Sequence, residues 1–133
     1  MKINSEQEML EFGEQFAKGL TFPAVIELVG DVGTGKTTFT RGLAKGLGVK
    51  STVTSPSFTI SKQYSGDNCT LIHYDFYRLK DPGIMQDDLL ESMQNPHAVV
   101  VVEWADTVKN LLPEGHQKIE ITLNDDESRE VIL

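Results

Sequence analysis

The sequence predicts a layered α/β domain with a mostly parallel central sheet flanked by helices. Three observations carry that prediction. Helical and extended segments alternate along the 133 residues. One extended segment, "AVVVVE", is a continuous apolar run, as in strands buried on both faces. A glycine-rich loop, "GDVGTGKT", sits between an apolar segment and an amphipathic one, while Asp75 and Glu103 end two other predicted strands. In open parallel sheets, ligands gather beyond the carboxyl ends of the strands.

Each element has its own signature. "NSEQEMLEFGEQFAKGL" reads as a helix, with Ser5 and Glu8 spaced as a capping box. Met9, Phe12, Phe16 and Leu20 repeat at helical spacing along one face. After Pro23, "AVIELV" reads as a buried strand, followed by the glycine loop. "KTTFTRGLAKGLG" is a second helix with Phe39, Leu43 and Leu47 facing inward and Gly48 suited to the C′ position. "FTISKQY" and "CTLIHYDFYRL" read as strands around the turn "SGDN", the second running out near Asp75. "KDPGIMQDDLLESM" reads as a helix with Asp81 as cap and Pro82 in the first turn. "HAVVVVEWAD" reads as a central strand and "TVKNLLPEG" as a short helical turn. "KIEITL" alternates like a half-buried outer strand, and "NDDESREVIL" as a turn and a last short strand.

The length suits one domain with a core of its own. Hydrophobic residues make up 39% and charged residues 24%, as in an ordinary soluble globule. No run approaches the ~18 apolar residues of a membrane span, and the first residues lack the apolar segment of a secretion signal. With Cys69 the only cysteine, neither an internal disulfide nor a cysteine zinc cluster is expected. A cytoplasmic, reducing location is the expectation. The formal charge is -8. Tight nonspecific binding to nucleic acid draws on lysines and arginines that neutralise phosphates, so direct binding by this chain alone is not expected. A basic or otherwise complementary protein partner fits the charge better.

"GDVGTGKT" fits G-x-x-x-x-G-K-[ST] at every fixed position: Gly30, Gly35, Lys36 and Thr37. The glycines let the backbone curl until its N–H groups point at a phosphate chain. Asp31, Val32, Gly33, Thr34 and Gly35 form the cradle, and Lys36, Thr37 and Thr38 open a helix whose positive end faces the anion. Lys36 is expected to reach the β- and γ-phosphates, and the Thr37 hydroxyl to ligate Mg²⁺. A glycine-rich turn that merely joins strand to helix is the plainer alternative, but the strand–loop–helix context favours the phosphate site.

Such a loop needs a second metal anchor, an acid at the end of a buried strand. Glu103 and Asp75 are the candidates; a lone buried carboxylate is costly unless it is paired or holds a metal. The alternatives are an ion pair of Asp75 with Arg78 or a nearby lysine, and for Glu103 a strand-end acid that faces solvent or caps a turn. His73, Asp75 and Tyr77 alternate and so share one face of their strand. His73 either carries a proton or orients a neighbour, and Trp104 serves either the core or a partner. In "VTSPSF", Thr54, Ser55 and Ser57 offer hydroxyls to a loop that senses the γ-phosphate; a proline-containing surface loop is the alternative. Glu6 near the base or ribose and Arg129 near the nucleotide have weaker support from chemistry alone; for Arg129 an exposed arginine in an acidic turn is the default reading.

Four segments in order, "GDVGTGKTTF", "SPSF", "HYDFYRL" and "VVEWAD", resemble the TsaE (YjeE) family, bacterial P-loop ATPases of tRNA threonylcarbamoyladenosine synthesis. The resemblance spans nearly the whole chain. Val32 and Thr34 stand where family members more often carry Leu and Ala, and Ser57 where they more often carry Thr. The resemblance implies a P-loop NTPase-like domain that uses ATP with Mg²⁺. It implies Lys36, Asp75 and Glu103 as catalytic residues, Thr37 and Glu103 on the metal, and Trp104 as the tryptophan that follows the acid of a modified Walker B strand. It carries Glu6 and Arg129 over as nucleotide contacts, Arg129 in a looser register. It further implies slow hydrolysis alone and action with a TsaD-like and TsaB-like pair, TsaD being the transferase. The target tRNAs read codons beginning with A, and the ATPase step sustains turnover rather than supplying the modification chemistry.

Three other functions share the motif. A small-molecule kinase would need an acceptor pocket and usually an arginine-bearing lid, and arginines are few. A GTPase-like switch would carry N-K-x-D, which the chain lacks. A nonenzymatic nucleotide-dependent binding module would bind ATP without releasing phosphate.

Overall fold

Valines explain the heart of the sheet. In the computed structural model, which describes residues 1–56, 60–77 and 83–133, every position of Ala98–Glu103 (β5) is buried. It runs parallel to Ala24–Val29 (β2) on one side and to Thr70–Asp75 (β4) on the other. Gln117–Leu123 (β6) pairs in parallel with the far side of β2. Antiparallel strands close both flanks: Ser61–Ser65 (β3) on β4, and Arg129–Ile132 (β7) on β6, followed by Lys2–Ile3 (β1) on β7. The order is β1-β7-β6-β2-β5-β4-β3, so the parallel strands are the central four.

"KIEITL" is therefore an inner strand of the order, not an outer one. Ile119 and Ile121 are buried on one face, while Lys118 and Thr122 on the other are not. The alternation reports that only one face of β6 is covered. It carries no information about how many edges are paired. The two-residue β1 has no periodicity to read and was not anticipated.

Helices cover both faces. Glu6–Lys18 (α1) and Lys36–Gly46 (α2) lie over a core that includes Ile26, Leu28, Val99, Val101, Ile119 and Ile121. Ile84–Gln94 (α3) and two 3₁₀ turns, Ala105–Thr107 and Lys109–Leu111, belong to the opposite core with Tyr74, Phe76, Val100 and Val102. The α1 start is capped as expected: Glu8 N–H donates to Ser5 Oγ at 3.1 Å. The Glu8 carboxylate accepts from the Asn4 N–H at 2.7 Å, one residue before the cap. Gly48, with φ 83, follows the last turn of α2 as a C′ glycine. The α3 cap is Gly83; Asp81 and Pro82, expected there, lie outside the described residues. Burial, with a hydrogen bond to Asp88, pushes the Tyr74 hydroxyl far above its ordinary range, and that bond and one to Ser92 tie β4 to α3. Among the described residues no helix is long and apolar enough to cross a membrane.

The packing of α1 on α2 depends on glycine. A Cβ at Gly13 would stand 2.4 Å from Phe39 O, and one at Gly42 would stand 2.2 Å from Leu10 O. Both clashes are with backbone, so no side-chain rotation relieves them. Gly42→Ala is expected to destabilise the fold by about 1–3 kcal/mol, read as a lower urea midpoint with an unchanged slope. An unchanged midpoint would show that the two helices do not need this close approach.

Candidate nucleotide site

The end of β2 runs into the glycine loop, and the loop runs into α2. Gly30, Gly33 and Gly35 have φ of 159, 85 and 109; the last two lie in the left-handed region that favours glycine. Gly35 is the N-cap, with no side chain capping the helix. The first N–H groups of α2 are thus left for a ligand. The loop, the start of α2 and the ends of β4 and β5 bound a cavity of about 840 Å³, within the usual range for small-molecule sites.

Lys36 is buried, and its amine lies at the centre of the charged groups. It donates to Gly30 O and, at 3.4 Å, to Asp31 O. It lies 3.8 Å from Glu103 Oε1 and 4.6 Å from the centroid of the Trp104 ring. Asp75 and Glu103 are register partners on adjacent parallel strands, so their carboxylates share one end of the sheet. Burial holds the Asp75 carboxyl above the ordinary carboxylate range, and the Glu103 charge adds to this. The Tyr77 N–H, at 2.9 Å from Asp75 Oδ1, works in the other direction, as do His73 and Lys36.

His73 is fully buried and its Nε2–H donates to Glu103 Oε2 at 2.5 Å. Its Nδ1 is the one buried side-chain polar atom among the described residues with no hydrogen-bond partner. Of the two sequence readings, orientation of a neighbour is the one this hydrogen bond supports. Trp104 is a bulky residue in the left-handed region, φ 54 and ψ 53, a sparsely populated conformation for its type. It packs partly against the α3-side core and meets Tyr77 at a centroid distance of 4.7 Å. It thus serves the core and the site at once.

The other expected residues fall as follows. Glu6, Val32, Gly33, Thr34, Gly35, Thr37, Thr38 and Arg129 line the same cavity as Lys36, Asp75 and Glu103. Asp31 lines a neighbouring cavity of about 610 Å³ instead. Ser55 lines the main cavity, while Thr54 is tied to β3 by the Lys62 amine; Ser57 and Arg78 lie outside the described residues. Arg129 places Nε at 2.9 Å from Thr34 O and Nη2 at 3.3 Å from Gly33 O. Met9, Tyr77, Leu123 and Glu127 also line the cavity and were not anticipated. Nothing in the linear sequence ties residues 123 and 127 to the loop; the seating of β6 beside β2 does.

Among the described residues no three His, Cys, Asp or Glu side chains group to hold a metal ion. The Asp75 and Glu103 carboxylates and Thr37 line one cavity, a set that fits a divalent cation taking its remaining ligands from phosphate and water, the habit of Mg²⁺.

A family model described as "Threonylcarbamoyl adenosine biosynthesis protein TsaE" matches residues 3–131. The chain belongs to the TsaE family. Among curated relatives, the Bacillus subtilis (strain 168) protein named tRNA threonylcarbamoyladenosine biosynthesis protein TsaE is 41% identical over 107 residues, covering 80% of this chain and 66% of its own length. A Haemophilus influenzae TsaE protein is 35% identical over 129 residues, covering 93% of this chain and 82% of its own. The crystal structure of Bacillus subtilis YdiB superposes with a TM-score of 0.78 at 33% identity, covering 98% of this chain and 80% of that one. The TsaE-family α/β fold, a central sheet with helices on both faces, is therefore the fold of this chain.

Proposed function

We propose that this chain is an ATP hydrolase of tRNA threonylcarbamoyladenosine synthesis, weak alone and activated by a TsaD-like and TsaB-like pair, its residues 1–133 acting as one cytoplasmic P-loop domain. The observation that carries the proposal is the convergence of the Lys36 amine with Asp75 and Glu103 on the cavity that the glycine loop opens onto. The family match supports the pathway.

In this reading the N–H groups of Asp31 to Thr38 hold the triphosphate. Lys36 leaves the loop carbonyls for the β- and γ-phosphates, and Glu6 lies toward the base or ribose. Thr37 and Glu103 would hold Mg²⁺, with Asp75 beside the γ-phosphate. Bound there, Mg²⁺ offsets charge on the phosphate oxygens. His73 keeps the Glu103 carboxylate turned to the cavity. Water attacks the γ-phosphorus, the bond to the bridging oxygen breaks, and ADP leaves with phosphate. Most of the acceleration comes from positioning and charge stabilisation. Substrate tRNAs, which read codons beginning with A, are met through the complex; the -8 charge argues against tight direct binding.

The test is phosphate release from Mg-ATP by the purified chain, with and without the purified TsaD-like and TsaB-like pair. A small rate alone and a large one with the pair is the expected result. An unchanged rate would remove the partner, and transfer of phosphate to a metabolite would make the chain a kinase.

A further inference from the structure

A loop that turns its N–H groups inward on an anion must turn its carbonyls outward, and each needs a donor. The structure shows where they go. Gly30 O and Asp31 O face the Lys36 amine, and Asp31 O also accepts from Thr34 Oγ1 at 2.9 Å. Gly33 O and Thr34 O face Arg129. The third guanidinium nitrogen, Nη1, donates to Glu127 O at 2.5 Å. All three nitrogens of Arg129 therefore rest on backbone oxygen.

The two halves of the loop differ in what holds them. The first is held by Lys36, which in the proposed function is drawn away to phosphate. The second, Gly33 to Gly35, contains two glycines with positive φ, and a Cβ on Gly33 would meet nothing within 4 Å. Locally, only the Asp31–Thr34 turn holds it, where the Thr34 N–H donates to Asp31 O at 3.3 Å. Arg129 reaches it from outside, 96 positions further along the chain. Its own backbone is fixed: Arg129 pairs with Leu123 of β6 and Ile3 of β1. The preceding turn is locked by the Asn124 N–H on Ser128 O at 2.8 Å and the Ser128 N–H on Asp126 Oδ1 at 3.0 Å.

We propose that Arg129 is a positioning residue, a brace that holds the Gly33 and Thr34 carbonyls outward so that the loop N–H groups stay turned toward phosphate. It deepens the proposed function and rests on it: the ligand it serves is the phosphate chain, not the base or ribose. Lysine is a poor substitute, because one ammonium on a flexible stem does not reproduce a planar fork across two carbonyls.

The test uses the full chain and two probes: Mg-ATP, and Mg-pyrophosphate, which has neither base nor ribose. Calorimetric titration of Arg129→Ala should show both affinities reduced by the same factor, about tenfold or more for the loss of charge-assisted bonds. Arg129→Lys should recover only a minor part. Without ligand, hydrogen exchange at the amides of residues 33–36 should be faster in both variants, with slow amides in β2 and β5 unchanged. A loss confined to ATP would mean that Arg129 meets the base or ribose, and would overturn the brace. So would full recovery in Arg129→Lys, which would mean simple charge attraction, or unchanged affinity and exchange in both variants. If Arg129→Ala fails to fold, the Lys variant decides the matter by the same two readouts. If the unaltered chain binds neither probe, the phosphate-site reading itself falls, and the brace with it.

Discussion

Lys36→Ala is expected to abolish ATP turnover with and without the partner pair, a loss of about a hundredfold or more. The amine is, among the described residues, the one lysine or arginine nitrogen ion-paired with Glu103, at 3.8 Å. It is buried against the Trp104 face, where its charge is screened less than at the surface. In the structure it satisfies carbonyls of the loop. With phosphate bound, it supplies charge where negative charge is concentrated. Lys36→Met separates charge from packing, because it keeps the aliphatic stem near Trp104 and removes only the ammonium. Both variants should be equally inactive, and the Met variant should keep the wild-type near-UV circular dichroism. Turnover in either variant at the wild-type rate, measured as phosphate release, would count decisively against a phosphate-binding role for this loop.

What was legible in the sequence was what short-range pattern encodes. The glycine loop carries its chemistry within eight consecutive residues, so its place between β2 and α2 followed directly. Glu103 was legible because a short, valine-rich apolar run ending in an acid fits a strand buried on both faces with the acid at its end. His73 and Asp75 followed from strand alternation. What was hidden depends on elements that meet only in the folded chain. Alternation in "KIEITL" revealed one covered face and said nothing of the two strands that pair beyond it. Arg129 was named as a nucleotide contact only through the resemblance; its seat on the loop carbonyls arises because β6 runs beside β2 to the loop end of the sheet and β7 starts there. Helical spacing assigned no role to Gly13 and Gly42, and glycine disfavours helix interiors. In the fold they are what lets α1 and α2 touch backbone to backbone.

Glu103→Gln should separate binding from hydrolysis. Glutamine keeps the volume and retains an amide oxygen to accept from His73 Nε2–H, so the sheet end should stay in place. The negative charge disappears, and with it the carboxylate proposed to hold Mg²⁺. ATP affinity is expected to stay within a few-fold of wild type, while turnover with the partner pair falls about 10²–10³-fold. The same change should move Asp75. The Glu103 charge is one cause of its raised pKa, so Asp75 should titrate closer to the ordinary carboxylate range in the variant. The sign for stability follows. A carboxyl whose folded pKa lies above its unfolded value binds more protons in the native state between the two. Its contribution therefore falls as pH climbs from the ordinary carboxylate range through the raised value, and in Glu103→Gln that window should narrow. Carbon-13 NMR of the Asp75 carboxyl gives the shift directly, and phosphate release gives the rate. Undiminished turnover would remove Glu103 from the chemistry. Loss of ATP binding together with turnover would make it part of the cradle rather than a metal ligand for hydrolysis.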